Sequence, residues 1–130
     1  MRIRTIATTA AIAGALTLAG VAPASASGAT CNEGWGNGDL CLHYNSNNAG
    51  SHTGFVSSVS NQVGYTFKSA GAGQGQALKN NAASVQNWDH SRDAAVYFNS
   101  GYSGNYDLAL AWTGGNLAAT YNNNASHNFW

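Results

Sequence analysis

The stretch Ala94–Gly104, AAVYFNSGYSG, decides the fold of this chain. Its first residues alternate between two sets of side chains, which is the period of a β-strand with two different faces. Its end carries asparagine, serine and glycine, which favour a tight turn, and glycine takes a positive φ without steric cost. The pattern Tyr44-Asn45-Ser46-x-x-x-Gly50 returns 54 positions later as Phe98-Asn99-Ser100-x-x-x-Gly104. The turn is therefore one of two copies.

A second, looser sequence repeat follows each copy of the turn. Ala83–Trp88, ASVQNW, recurs loosely as Ala125–Trp130, ASHNFW. Two units with the same internal order predict a duplicated fold built from two similar halves, about 40–88 and 94–130, within one domain over residues 27–130.

The halves contain short strand candidates separated by turn clusters. We expect strands at Leu40–Asn45, Thr53–Val59, Tyr65–Phe67, Ala83–Trp88, Ala95–Asn99, Tyr106–Trp112, Leu117–Tyr121 and Ala125–Trp130. Four short strands per half predict an all-β protein in which two Greek keys pack as a β-sandwich.

Residues 1–26 have the features of a signal peptide. Arg2 and Arg4 form a basic head, Thr5–Val21 is an apolar run of small residues, and Ala24-Ser25-Ala26 is a cleavage signal. We therefore expect a secreted protein whose mature chain begins near Ser27 and has no membrane association after cleavage.

The charges of the mature chain are few. Three basic residues, Lys68, Lys79 and Arg92, stand against five acidic ones, Glu33, Asp39, Asp89, Asp93 and Asp107, a net charge of −2. No basic patch points to nucleic acid. Abundant asparagine, glycine and serine favour turns and short strands, and 14 aromatic residues argue against disorder.

The two cysteines, Cys31 and Cys41, form a close pair in an exported chain, which predicts a structural disulfide. Closing a loop of this size contributes roughly 2–3 kcal/mol in the chain-entropy model. The enclosed segment Asn32–Leu40 is rich in glycine and carries Trp35, so we expect a pinned loop.

No motif for catalysis is present. The carboxylates are scattered, the histidines His43, His52, His90 and His127 share no ligand spacing, and no G-x-S-x-G elbow occurs. Asp89-His90-Ser91 is interpreted as a turn. The four tryptophans, Trp35, Trp88, Trp112 and Trp130, could form a carbohydrate-stacking face, but core packing is the preferred interpretation. We expect a protein that is not an enzyme.

Tyr97-x-x-x-x-Tyr102-x-Gly104 resembles the aromatic corner of beta-gamma crystallin Greek keys. The upstream copy keeps Gly50 but has His43 and Asn48 in the aromatic positions. Two further segments resemble the crystallin calcium pattern without its last serine; their matching residues are Asn80, Asn81 and Ser84, and Asn122, Asn123 and Ser126. Since these segments offer neutral oxygens, we expect weak calcium binding or none.

The signal peptide, the early cysteine pair and Cys41-Leu42-His43-Tyr44 together resemble the secreted actinobacterial family of the Streptomyces metalloproteinase inhibitor. The resemblance implies a monomeric, non-catalytic peptidase inhibitor whose partner is an extracellular protease. Two alternatives stay open: a weakly calcium-binding envelope or matrix module, and a toxin-like antimicrobial protein on the same fold.

Two loops are candidates for the site that contacts the protease. The glycine-rich segment Ser69–Gln76 lacks a phosphate-binding pattern and is expected to be too mobile for rigid presentation. The loop Asn32–Leu40 is constrained by the predicted disulfide, and tryptophan is a frequent anchor of interfaces. We therefore predict the first contact at Trp35.

Overall fold

A computed structural model describes residues 26–130. All of the predicted signal peptide except Ala26 lies outside the described residues. The described residues form eight strands: β1 (Ser27–Gly28), β2 (Leu40–Asn45), β3 (Ala49–Phe55), β4 (Ser84–Asn87), β5 (Ala94–Asn99), β6 (Ser103–Ala109), β7 (Gly114–Asn116) and β8 (Ser126–Phe129). Between residues 26 and 130, no helix is long and apolar enough to span a membrane.

The strands form two antiparallel sheets. Five strands make the first sheet in the order β1-β3-β2-β4-β7, and three make the second in the order β6-β5-β8. Each half contributes to the sheet of the other: strand β7 from the second half pairs with β4 from the first, and Val59 from the first half makes an isolated bridge to His127 on β8. The predicted all-β sandwich of two Greek keys is confirmed.

A serine hydroxyl closes the hairpin of each half in the same way. Ser84 Oγ donates to the carbonyl of Asn45 at 2.6 Å and accepts from the amide of Asn48 at 3.0 Å. In the second half, Ser126 Oγ donates to the carbonyl of Asn99 at 2.6 Å and accepts from the amide of Tyr102 at 3.1 Å. This paired geometry relates the two halves residue by residue.

The aromatic corner is formed in the second half. The rings of Tyr97 and Tyr102 lie 6.1 Å apart, centroid to centroid. Gly104, at the end of the corner, has φ +83°, and its counterpart Gly50 has φ +75°. Both glycines therefore take the left-handed conformation that L side chains disfavour.

The core lies between the two sheets and receives apolar residues from strands and loops alike. Each large buried side chain contributes about 1.5–3 kcal/mol through removal of apolar surface from water. The core cluster consists of Leu40, Leu42, Phe55, Val59, Tyr65, Phe67, Leu78, Ala82, Val85, Ala94, Val96, Ala109 and Leu117, with Tyr44 and Phe129 packed against it.

Several strand predictions need correction. Tyr65–Phe67 is not a strand; it carries only the bridge from Thr66 to Ala77, and Tyr65 and Phe67 reach the core from a loop. Leu117–Tyr121 is not a strand either. Strand β7 is the preceding Gly114–Asn116, which has no β-forming side chains and owes its conformation to pairing with β4.

The preferred interpretation of the tryptophans as core residues is wrong for three of the four. Trp35, Trp112 and Trp130 are 75%, 45% and 58% exposed. Trp88 is partly buried. The core is filled by smaller aliphatic residues and by phenylalanine, which leaves the indoles at the surface.

Gly104→Val should destabilise the protein by at least about 1 kcal/mol, because valine is strained at positive φ. A β-carbon at Gly104 would also lie 2.6 Å from Nδ2 of Asn99. Gly115→Val is the matched control, since a β-carbon there meets nothing within 4 Å and its φ is not positive. Urea unfolding measures both variants, and equal stability of the two would contradict the prediction.

Candidate functional site: an aromatic stack on a pinned loop

The predicted disulfide between Cys31 and Cys41 is confirmed, with the two Cα atoms 6.0 Å apart. Asp39 also joins the two ends of the loop Asn32–Leu40, which we call its neck. Its carboxylate accepts from the backbone amide of Asn32 at 2.8 Å and from Asn32 Nδ2 at 3.1 Å, and its own amide donates to the Asn32 carbonyl at 2.8 Å. The loop Asn32–Leu40 is therefore closed by a covalent bond and by three hydrogen bonds.

The tip of this loop is held by Asp89, a fully buried carboxylate two residues after the end of strand β4. Asp89 accepts from the amides of Gly36 at 3.0 Å and Gly38 at 2.9 Å. It also accepts from the amide and hydroxyl of Ser91 at 2.8 and 3.0 Å, and from the amide of Arg92 at 2.8 Å. The predicted turn at Asp89-His90-Ser91 is thus a turn built around this carboxylate.

Arg92 completes the buried junction. Its Nε lies 2.7 Å from Asp89 Oδ2, and its terminal nitrogens donate to the carbonyls of Gly38 at 3.0 Å and Val56 at 3.1 Å. Its guanidinium lies 3.9 Å over the ring of Phe129. Burial alone would raise the pKa of Asp89, but the hydrogen bonds from Ser91, Arg92 and Gly36 hold that pKa far below its usual range.

Three rings stack face to face on this support. His90 lies between two indoles: its ring centroid is 4.8 Å from Trp35, with planes 13° apart, and 3.9 Å from Trp112, with planes 16° apart. Trp88 meets Trp112 edge to face at 5.3 Å. Glu33 Oε2 lies 3.6 Å from His90 Nε2. We call Trp35, His90, Trp112 and Trp88 the aromatic stack.

The backbone sets the order of the rings in the stack. Gly34 pairs with Asp89 in a parallel bridge, in which the Gly34 amide donates to the Trp88 carbonyl at 3.1 Å and the His90 amide donates to the Gly34 carbonyl at 2.8 Å. Trp112, at φ +58°, donates its amide to the Asp89 carbonyl at 2.8 Å. Trp35 is the outermost ring and presents most of its surface to solvent.

Trp35 could be selected from the sequence, whereas the roles of His90 and Trp112 and the support from Asp89 and Arg92 could not. The stack joins segments from three parts of the chain, and neither spacing nor a local motif links them. The positive φ at Trp112 is unusual for a bulky residue. Such backbone strain concentrates at functional positions, but it is visible only in the structure.

The glycine-rich loop Ser69–Gln76 is held more firmly than expected. The Ser51 amide donates to the Ala72 carbonyl at 2.8 Å, and the Gly75 amide donates to the Phe67 carbonyl at 2.8 Å. Gly73 lies flat on Tyr44, where a β-carbon would come within 2.2 Å of the ring. The loop nevertheless lacks a large side chain that could anchor a partner.

The two candidate calcium segments fit the ion poorly. The hydroxyls of Ser84 and Ser126 are engaged in closing the hairpins. The amide nitrogens of Asn81 and Asn123 donate to backbone carbonyls at 2.7 and 3.1 Å. Within residues 26–130, no three histidine, cysteine, aspartate or glutamate side chains are grouped to hold a metal. Asn80 and Asn122 both have positive φ, which asparagine tolerates.

We expect a calcium dissociation constant on the order of 0.1–1 mM or weaker, because the oxygens of these segments are neutral and partly engaged. Isothermal titration calorimetry with calcium chloride measures it. Micromolar affinity would contradict this prediction, and calcium binding stays a prediction until that measurement.

Comparison with known proteins supports the fold. No protein-family model matches the chain, and no curated protein matches it in sequence. A solved structure described under the evolution of the eye lens beta-gamma-crystallin domain fold aligns with TM-score 0.59 and 13% identity, covering 82% of this chain and 96% of that one. The N-terminal domain of protein S aligns with TM-score 0.53 and 19% identity, covering 71% and 94%. The chain therefore has a beta-gamma crystallin-like fold.

Proposed function

We propose that this chain is a secreted, non-catalytic binding protein that engages a protein partner through Trp35 and the aromatic stack. The observation that supports the proposal is the exposure of Trp35 on a loop fixed at its neck and at its tip. A protruding ring that is already ordered enters a pocket of a partner with little loss of conformational entropy. Tryptophan is also among the residues that dominate binding energy at interfaces.

The positions of the aspartates support a binding role rather than a catalytic one. Asp39 and Asp89 accept hydrogen bonds that shape the pinned loop. Asp93 accepts from the amide of Ala111 at 2.8 Å, and Asp107 accepts from the amide and hydroxyl of Thr120 at 2.8 and 2.7 Å. All four aspartates thus have structural partners, which leaves Glu33 as the remaining carboxylate.

Peptidase inhibition is the activity we assign to this binding surface. The assignment rests on the resemblance of the cysteine pair and the Cys41–Tyr44 sequence to secreted peptidase inhibitors. It gains support from the rigidity of the loop, because inhibitors of this kind present a preformed segment to the protease. Titration of the purified protein against a panel of extracellular metallo- and serine peptidases tests the activity directly.

Trp35→Ala should weaken inhibition at least tenfold, a loss of about 1.4 kcal/mol or more in binding free energy. The ring is 75% exposed, so the thermal unfolding midpoint should change little. Tyr106→Ala is the matched control, since Tyr106 is a 54% exposed aromatic residue outside the stack. Unchanged inhibition by Trp35→Ala would place the contact elsewhere, and wild-type protein that inhibits no peptidase would contradict the assigned activity.

A further inference from the structure

A polar cleft lies away from the aromatic stack, between the first hairpin and a turn from the second half. It has a volume of about 270 Å³ and is lined by Tyr44, Asn45, Ser46, Asn81, Tyr121 and Asn122. This is slightly below the roughly 300–1,000 Å³ of pockets that bury drug-sized ligands. The volume suits one small ring.

The cleft is framed by hydrogen bonds that repeat in both halves. The amide of Asn122 donates to the carbonyl of Ala82 at 2.9 Å, and the amide of Asn80 donates to the carbonyl of Asn124 at 2.8 Å. Asn80 and Asn122 have φ +66° and +53°. The two turns are therefore counterparts, and so are Tyr121 and Lys79, which precede them.

The equivalent position beside the second hairpin is occupied by a lysine side chain from the first half. Lys79 Nζ donates to Ser100 Oγ at 3.2 Å and to Asn61 Oδ1 at 3.2 Å. Ser100 corresponds to Ser46 in the first half. Beside the second hairpin this position is filled by a lysine of the first half, whereas beside the first hairpin the rim carries Tyr121 of the second half, which is 46% exposed. The two halves have thus diverged at one equivalent position.

Most polar side chains that line the open cleft have unused hydrogen-bonding capacity. Among the described residues, the side-chain amides of Asn45 and Asn122 have no hydrogen-bond partner, whereas Asn81 donates to the Ala77 carbonyl at 2.7 Å and keeps its oxygen free. The lining contains no charged side chain. A cation would find no carboxylate here and an anion would find no basic group, so the chemistry favours a neutral ligand.

Neutral amides and a hydroxyl beside phenol rings are complementary to a sugar. Each asparagine amide both donates and accepts hydrogen bonds, as hydroxyl groups also do. The phenol ring of Tyr121 offers an apolar face with a polar edge. We propose that this cleft binds a single neutral sugar ring. The site is independent of the aromatic stack and of peptidase inhibition.

Titration of the ¹⁵N-labelled protein with glucose, galactose, mannose and N-acetylglucosamine, each to about 100 mM, tests the proposal by NMR. At least one sugar should shift the side-chain amide signals of Asn45, Asn81 and Asn122, with a dissociation constant on the order of 1–10 mM for so small a ligand. Tyr121→Ala should weaken binding at least fivefold. Asn122→Gly, which keeps the positive φ and removes the amide, should do the same.

Lys79→Ala is the matched control, because it changes the equivalent position of the other half and should leave sugar binding unchanged. Four results would each overturn the proposal: no shift with any of the four sugars; shifts centred on the Trp35 indole; equal loss of binding in Lys79→Ala and Tyr121→Ala; or the same shifts with calcium chloride alone.

Discussion

Acidification from pH 7 to pH 4 will remove about 6 kcal/mol of folding stability, because two buried histidines must stay neutral in the folded chain. Burial lowers the pKa of His127 to about 4, against a small opposing effect of its bond to the Ser57 carbonyl. Burial and the neighbouring His52 lower the pKa of His43 to about 4. Both groups have a pKa of 6.5 when unfolded.

The free energy of unfolding falls with acid because the unfolded chain binds protons that the folded chain does not. Above pH 6.5 both histidines are neutral in either state and stability does not depend on them. Between pH 6.5 and about 4 only the unfolded chain takes up the protons, so each histidine removes roughly 1.4 kcal/mol per pH unit, or about 3 kcal/mol in all. Asp89 and Asp107 have lowered pKa values, so their contributions are lost only at more acidic pH.

The neighbours of His127 enforce its neutral form. Its Nδ1 accepts from Gln62 Nε2 at 2.9 Å, and its Nε2 donates to the Ser57 carbonyl at 3.2 Å. Gln62 cannot reverse its amide, because its Oε1 accepts from Asn124 Nδ2 at 2.6 Å. Asn124 is fixed in turn by the Leu78 carbonyl and the Ala82 amide. If His127 Nδ1 bound a proton, its N–H would point at the N–H of Gln62, which is also a donor.

Urea unfolding at several pH values between 7.5 and 4.5 measures the effect. His127→Gln should be less stable than the wild type at pH 7, because it disturbs the buried network, yet its stability should fall only about half as steeply with acid. A wild-type free energy of unfolding that is constant from pH 7 to pH 4.5 would rule out this account. Since small domains have about 5–15 kcal/mol of stability, we expect unfolding near pH 4.

The features that could be predicted from the sequence are those with local signals. The repeated Asn-Ser-x-x-x-Gly turn located both hairpins, because the positive φ at Gly50 and Gly104 strongly favours glycine over residues with a β-carbon. Strand β2 was predicted to the residue, because an apolar segment from Leu40 leads directly into the turn that begins at Asn45. The disulfide followed from a close pair of cysteines behind a predicted signal peptide.

What could not be predicted depends on contacts between distant segments. Gly114–Asn116 becomes a strand because β4 offers it backbone partners, which no propensity of Gly-Gly-Asn reveals. Trp112 joins the stack through a backbone bond to Asp89, and Asp89 reaches Gly36 and Gly38 across 53 and 51 positions. The candidate site was therefore located by Trp35 alone, without the support that makes it rigid.

Asp89→Asn should destabilise the protein by about 3–5 kcal/mol, because it leaves several buried donors and the partly buried Arg92 without their carboxylate. The replacement amide would turn an NH₂ group toward donors that Asp89 now satisfies: the Gly38 amide and Arg92 Nε bond to one oxygen, and the Gly36, Ser91 and Arg92 amides bond to the other. Arg92 would also lose its counter-charge. Urea unfolding at pH 7 measures the loss.

Asp93→Asn is the matched control, because that carboxylate accepts one backbone amide, from Ala111, which an asparagine oxygen can still accept. We expect it to cost less than about 1 kcal/mol. In Asp89→Asn the amides of Gly36 and Gly38 should also lose protection from hydrogen exchange, and the near-ultraviolet circular dichroism of the stacked indoles should weaken. Equal stability of the two variants would show that Asp89 does not hold the loop. A destabilised Asp89→Asn with an intact indole signal would instead show that the Cys31–Cys41 disulfide and the bonds of Asp39 and Gly34 position Trp35 without the Asp89 carboxylate.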